Sequence, residues 1–166
     1  MKNSLSRMLC AVLLAVCSMN PNRTLAAEDK GVDQKSRCAV CGMFVAKYPE
    51  WVCRVTMSDG SVHYFDGVKD MMAFTFAPQK YGATAGATPS GYVVKDYYTL
   101  AALDGKLAFY VVGSDTMGPM GMELIPFDSK EAAEAFSKDH HGKSIVPFAS
   151  ITAEMVESMR TGQTMK

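Results

Sequence analysis

The stretch that decides the fold is VHYFDGVKDMMAFTF, residues 62–76, because it holds a strand, a helix start and a helix in one run. Val62 to Phe65 is rich in β-forming residues and predicts a strand. Asp66 stands where a helix N-cap is expected. The residues after it recur at i, i+3, i+4, i+7 and i+8, which is one face of a helix. That face consists of Val68, Met71, Met72, Thr75 and Phe76.

Extended segments flank this run on both sides. Residues 51–57 (WVCRVTM) predict a strand, and the turn signal at 58–60 (SDG) joins it to residues 62–65 as a β-hairpin. After Pro78 ends the helix and a Gly, Ala, Thr and Pro-rich loop follows, residues 92–99 predict a third strand. The order of elements is therefore strand, strand, helix, strand.

The same order recurs in the second half of the chain, where Phe127-Asp128 corresponds to Phe65-Asp66. The pattern there predicts a strand at 107–113, a loop at 114–119, a strand at 122–127, Asp128 as N-cap, a helical face of Ala132, Ala135 and Phe136, a strand at 144–148 and a terminal helix at 151–160. We therefore predict an α+β fold of two tandem ββαβ units packed together, at 38–100 and 106–160, plus a C-terminal helix. The alternative is that an aromatic residue and an Asp cap meet at two strand-to-helix junctions without duplication.

Composition and the first residues indicate an exported globular protein. The chain has 166 residues, with 17 Lys and Arg against 17 Asp and Glu, and lacks the basic stripe of a nucleic-acid-binding protein. Lys2 and Arg7 precede an apolar run, which predicts a signal peptide at 1–27 and a mature domain at 28–166. A lipoprotein signal cut before Cys17 is the alternative. We expect the mature protein in the periplasm, either soluble or anchored to a membrane by a lipid on Cys17.

The segment CAVCGM, residues 38–43, gathers two thiols and a thioether. Two cysteines at this spacing can hold a soft metal, cycle as a disulfide or supply half of a zinc site. Met43 favours Cu(I), because thioether sulfur is a poor zinc ligand and a good Cu(I) ligand. Cys53, the third cysteine after cleavage, is expected to be a buried thiol in a strand.

A second sulfur-rich segment lies at 117–122 (MGPMGM). Core packing is the ordinary role of methionine, but Gly and Pro predict a loop here, where core packing is less expected. On an extended segment Met120 and Met122 would face the same side, so both could point at one ion. Met71 and Met72 fit the helical core stripe. The histidines are expected at a strand and a helix end, or as an additional metal ligand.

Five sequence blocks together resemble one family. They are CAVCGMFVAKYPEW at 38–51, FDGVKDM at 65–71, YVVGSD at 110–115, GPMGMELIPF at 118–127 and FSKDH at 136–140. In this order they resemble NosL, the accessory protein of nitrous oxide reductase. The resemblance implies an exported, usually lipid-anchored Cu(I) chaperone, not an enzyme, whose fold has two ββαβ units. It also implies copper delivery for assembly of the reductase, with a membrane ABC-type complex as a partner.

Carried over by position, the resemblance puts the metal on Cys41, in the Cys-Gly-Met motif, and on Met120, in Gly-Pro-Met-Gly. Cys38 and Met43 are neighbours or additional ligands. Met122 stands where the family pattern has histidine, which makes the site richer in sulfur. An ion shared between two copies of the chain is a further expectation.

Two other functions fit the same motif. The first is a periplasmic thiol–disulfide oxidoreductase using Cys38 and Cys41. The second is a non-catalytic module in which the C-x-x-C forms a structural zinc or disulfide clip.

Overall fold

The computed structural model describes residues 32–162, so the predicted signal peptide and Cys17 lie outside the described residues. The strands are β1 (Cys53–Met57), β2 (Val62–Phe65), β3 (Pro89–Lys95), β4 (Ala102–Asp104), β5 (Phe109–Gly118), β6 (Gly121–Phe127) and β7 (Ser144–Pro147). The helices are α1 (Val68–Phe76), α2 (Lys130–Asp139) and α3 (Ala153–Arg160), and 3-10 turns lie at Val45–Lys47, Pro78–Tyr81 and Phe148–Ser150. Within residues 32–162, every helix falls short of the length and apolarity that crossing a bilayer requires.

The two sheets have the same arrangement around their central strands. In the first, β1 lies between β2 and β3, both antiparallel to it, and β4 is added at the β3 edge. In the second, β5 lies between β6 and β7, also antiparallel. The register matches as well, since Cys53 pairs with Phe65 and Phe109 pairs with Phe127. The predicted α+β class, with two ββαβ arrangements and a C-terminal helix, is confirmed.

The main core lies between the first sheet and α1. Alternate residues of β1 point inward, which buries Cys53, Val55 and Met57. Helix α1 is buried along nearly its whole length because α3 and β6 pack against it as well as the first sheet. Met71 and Met72 are at most 1% exposed, so their core role is confirmed.

A smaller apolar cluster lies under the second sheet. Its buried members are Val111, Ile125, Phe127, Ala133 and Phe136. Helix α2 therefore turns Ala133 and Phe136 inward, whereas Ala135, predicted for that face, is exposed. Trp51 also packs here, near Tyr97, and does not lie on the strand with Cys53 as its sequence suggested.

The predicted loop at 114–119 is wrong. Strand β5 continues to Gly118, and β6 begins at Gly121, so Pro119 and Met120 form the tip of a β-hairpin. A register shift between Val112 and Met117 lets the strand continue through residues with weak β-forming character. Met120 therefore lies in a turn, and the expectation that it shares a strand face with Met122 is also wrong.

Both predicted aspartate caps are wrong by one residue. Helix α1 has Gly67 at its N-cap, and no side chain of its own segment caps it. Helix α2 has Ser129 at its N-cap, and the Ser129 hydroxyl accepts a hydrogen bond from the Ala132 N–H. Asp66 is thereby available for another role.

Candidate metal centre

The two cysteines are brought together by a tight loop at 38–43. An isolated bridge between Arg37 and Phe44 closes the loop. Inside it, the Cys38 carbonyl accepts the Gly42 N–H at 2.9 Å, and the Cys38 N–H donates to the Met43 carbonyl at 2.8 Å. Gly42 has φ +80°, a left-handed conformation that glycine adopts without steric cost. The Gly that follows the second cysteine is thus a requirement of the loop.

The start of α1 forms the opposite wall of the site. Asp66 lies just before the Gly67 N-cap, Asp70 lies in the first turn of α1, and both carboxylates face the 38–43 loop. The Cys41 thiol donates to the Asp66 carboxylate, with Sγ at 3.3 and 3.4 Å from its two oxygens. The Cys38 thiol donates to Asp70 Oδ2 at 3.4 Å. One ligand atom from each of these four residues lies within 4.8 Å of the other three.

Burial and the carboxylates keep both thiols protonated at neutral pH. Desolvation, with a smaller contribution from the charges of Asp66 and Asp70, raises the pKa of Cys41 to about 11. Desolvation and the Asp66 side chain raise the pKa of Cys38 still further above its ordinary value. Backbone N–H groups that point at the two sulfurs oppose the rise only in part. The site is therefore one in which a cation would replace thiol protons.

The hairpin tip containing Met120 contacts the same end of α1. The Lys69 Nζ donates to the Met120 carbonyl at 2.6 Å, and Lys69 lies between Asp66 and Asp70 in the chain. The Met120 side chain is 48% exposed and Met117 is 57% exposed. Two thioethers thus lie open to solvent on the hairpin.

The five residues predicted for the site fall into three groups. Cys38 and Cys41 face each other and the two carboxylates. Met43 is half-buried in the same loop, and its N–H donates to the Cys41 sulfur. Met120 is on the hairpin tip against α1, whereas Met122 is half-buried and packs on the main core. The metal-binding roles of the five remain predictions.

Sequence reasoning missed Asp66 and Asp70 as members of the site. Their i, i+4 spacing was visible, but the position of Asp66 before a helix favoured a capping role. None of the three histidines joins the thiol–carboxylate cluster: the His63 ring packs against Phe74 in a tilted arrangement, and His140 contacts Asp115 at 3.0 Å. Cys53 is 2% exposed and its thiol faces the Phe65 carbonyl, so its predicted burial is confirmed.

Comparison with known proteins identifies the family of this chain. A family model described as NosL matches residues 29–156. Among solved structures, the copper chaperone NosL from Shewanella denitrificans is 24% identical over 75% of this chain and 96% of that chain, with a TM-score of 0.64. The apo-NosL protein from Achromobacter cycloclastes is 27% identical over 63% of this chain and 87% of that chain, with a TM-score of 0.48. Curated protein sequences gave no significant match. Because the family model covers well over half of the sequence, the chain belongs to the NosL family.

Proposed function

We propose that this protein is a periplasmic Cu(I) chaperone that holds copper and delivers it for assembly of the copper centres of nitrous oxide reductase. The observation that carries the proposal is the pair of thiols on the 38–43 loop, set against Asp66 and Asp70 at the start of α1. The same end of α1 is bonded through Lys69 to the hairpin tip that carries Met120. The membership of the chain in the NosL family supports the choice of cargo, as does the description of the Shewanella denitrificans structure as a copper chaperone.

The donor chemistry of the site suits a soft monovalent cation. Thiolate and thioether sulfur are preferred Cu(I) ligands, and they are supplied here by Cys41, Cys38 and the methionines around them. When Cu(I) binds to Cys41, an S–H bond is lost, a Cu–S bond forms and the proton is released. The buried carboxylates of Asp66 and Asp70 add negative charge that favours a cation at this point.

The exposure of the site suits transfer of the ion by ligand exchange. Cys41 is only partly buried, and Met120 lies open on the hairpin tip. An incoming ligand from nitrous oxide reductase or its membrane ABC-type complex could therefore bind the ion before the last bond to this protein breaks. A lipid on Cys17 would keep the chaperone at the membrane, and two copies sharing one ion would be an intermediate in such an exchange.

The oxidoreductase alternative is weakened by the same geometry. A reactive C-x-x-C thiol normally gains a low pKa from a helix N-terminus. Here burial raises the pKa of Cys41 to about 11, and the loop leads into a 3-10 turn at Val45–Lys47 rather than an α-helix. A thiolate nucleophile is therefore scarce at neutral pH.

A structural divalent-metal site is the second candidate, and the carboxylates favour it. With Asp66 and Asp70, the two cysteines make a four-member S₂O₂ set that zinc would accept. Cys41 is partly exposed, however, so an incoming ligand can approach the cluster from its side. The openness of the site on the Cys41 side favours a transferable cargo over a permanent clip.

The proposed function is tested by replacing one thiol at a time. We expect Cys41→Ser to weaken Cu(I) binding, measured by competition with a chromophoric chelator, by more than the roughly 10–100-fold loss typical of residues that only support a ligand. Cys53→Ala is the control, because Cys53 is a buried thiol of β1 that lies outside the cluster. Cu(I) affinity equal to wild type in Cys41→Ser would refute the proposal.

A further inference from the structure

A carboxylate from the second sheet is buried at the start of α1. Glu123 of β6 is 4% exposed, and its Oε1 accepts the Lys69 N–H at 2.5 Å and the Leu124 N–H at 2.9 Å. The first N–H groups of a helix have no partner within the helix, and a Glu123 oxygen accepts one of them. Burial raises the pKa of Glu123 to about 8, so this bond does not depend on a charged carboxylate. Glu123 therefore performs the capping function that Gly67, at the N-cap, has no side chain to perform.

Two glycines, Gly67 and Gly118, lie against the Glu123 side chain. A Cβ on Gly67 would overlap the Glu123 carboxylate, although the backbone of Gly67 is extended and suits any residue. A Cβ on Gly118 would lie 3.1 Å from Glu123 Cγ. The close approach of α1 to the β5–β6 hairpin thus depends on the absence of a side chain at Gly67.

A second bond joins the same two elements in the opposite direction. Lys69 is 2% exposed, and its ammonium donates to the carbonyl of Met120 at the hairpin tip. The backbone N–H of Lys69 donates a hydrogen bond to Glu123 Oε1. One residue of α1 is therefore bonded through its backbone to β6 and through its side chain to the turn that precedes β6.

We propose that Lys69 and Glu123 form a clamp that positions Met120 for Cu(I) bound at Cys41. The inference rests on the proposed function, because it assigns Met120 to the bound ion. Lys69 lies between Asp66 and Asp70 in the chain, and these two aspartates face the thiols. The bond from Lys69 to Met120 therefore fixes the hairpin tip relative to the thiol site. Both members act through Met120 as positioning residues and touch no ion themselves.

A double-mutant cycle tests whether the clamp acts through Met120. Cu(I) affinity is measured by chelator competition for wild type, Lys69→Met, Met120→Ala and the double variant. We expect Lys69→Met to weaken binding about tenfold, as is typical for residues that support a metal ligand. We expect no further loss when Met120→Ala is already present. Equal losses in both backgrounds, or no loss from Lys69→Met, would overturn the proposal.

The Glu123 member has a conservative variant that separates positioning from folding. Glu123→Gln keeps an oxygen that can accept the Lys69 N–H, so Cu(I) affinity should remain within about threefold of wild type, whereas Glu123→Ala should fall about tenfold. Equal affinity of the Gln and Ala variants would contradict the assignment. Urea unfolding of each variant shows whether the protein is folded under the conditions of the copper measurement.

A measurement on the unaltered protein covers the case in which the variants fail to fold. The clamp predicts that the Met120 amide of the metal-free protein has an NMR order parameter near the ~0.85 of rigid backbone, and a value below ~0.6 would overturn it. Failure of the inference is distinct from failure of the proposed function. If Met120→Ala keeps full affinity while Cys41→Ser loses it, only the clamp is refuted; if Cys41→Ser also keeps it, the proposed function is refuted too.

Discussion

The two helix starts of this molecule follow the same sequence pattern but are used differently. Phe65-Asp66-Gly67 precedes α1 and Phe127-Asp128-Ser129 precedes α2, in sheets of the same topology. Helix α2 is capped by its own Ser129, an interaction worth about 1 kcal/mol. Helix α1 has no such residue, and the N–H of its Lys69 donates instead to Glu123 of the other sheet.

A thiol site lies at one helix start and not at the other because only α1 faces the 38–43 loop. Asp66 precedes the N-cap of α1, and its carboxylate accepts the Cys41 thiol. At the equivalent position in the second unit, the Asp128 backbone N–H donates to Asp96, and no thiol of the described residues lies there. The two helix starts thus differ in what faces them, thiols at α1 and Asp96 at α2, and in where the capping group comes from.

The largest effect on the difference between the two helix starts is expected from adding a methyl group at Gly67. Gly67→Ala places a Cβ into the Glu123 carboxylate, and we expect a loss of unfolding free energy of about 1–3 kcal/mol, as for other overpacked sites. Urea denaturation measures the loss. The control is Gly91→Ala in β3, where a Cβ would lie at an ordinary 3.6 Å from Thr56 Cβ. Equal unfolding midpoints for the two variants would show that Glu123 does not depend on Gly67.

The pH dependence of copper binding distinguishes the two helix starts, since only the start of α1 faces thiols. The pKa of Cys41 is raised to about 11, so this thiol is protonated at neutral pH and must lose its proton to Cu(I). Affinity should therefore rise with pH, about tenfold per pH unit for each proton released, and level off near pH 11. Chelator competition over a pH series measures the slope. A Cu(I) affinity independent of pH would mean that the thiols are already ionised.

The smallest effect is expected from replacing one aspartate by asparagine at each helix start, Asp66 before α1 and Asp128 before α2. After burial, the interactions with Asp66 are among the causes that raise the pKa values of Cys41 and Cys38. Asp66→Asn should therefore lower the pH at which these thiols become reactive, whereas Asp128→Asn should leave it unchanged. The rate of thiol alkylation as a function of pH gives the midpoint. A midpoint that moves equally in both variants would remove the distinction between the two helix starts.

Much of the fold could be predicted because its determinants are local. The helical spacing of Val68, Met71 and Met72 and the alternation in residues 53–57 identify elements from neighbours in the chain. The repeated order then predicted the paired sheets. The continuation of β5 through 114–118 could not be predicted, because it depends on pairing with β6 across a register shift.

The site was predicted in part for the same reason. The CAVCGM motif is local, so Cys38 and Cys41 could be identified from spacing alone. The roles of Asp66 and Glu123 depend on contacts over 25 and 54 residues of sequence separation, and no local pattern distinguishes a capping aspartate from one that accepts a thiol. The helix start was correctly placed within one residue, but the residue that caps it comes from the other sheet.

A titration of the reduced mature protein with Cu(I) against a chromophoric chelator, with Zn(II) in parallel, tests whether the thiol–carboxylate cluster is a Cu(I) site. We expect tight binding of about one Cu(I) per chain, or one per two chains if the ion is shared, and weak binding of zinc. Zinc bound in preference to Cu(I) would make the thiol–carboxylate cluster a structural site. If the protein fails to compete with the chelator for Cu(I), the proposed function is refuted.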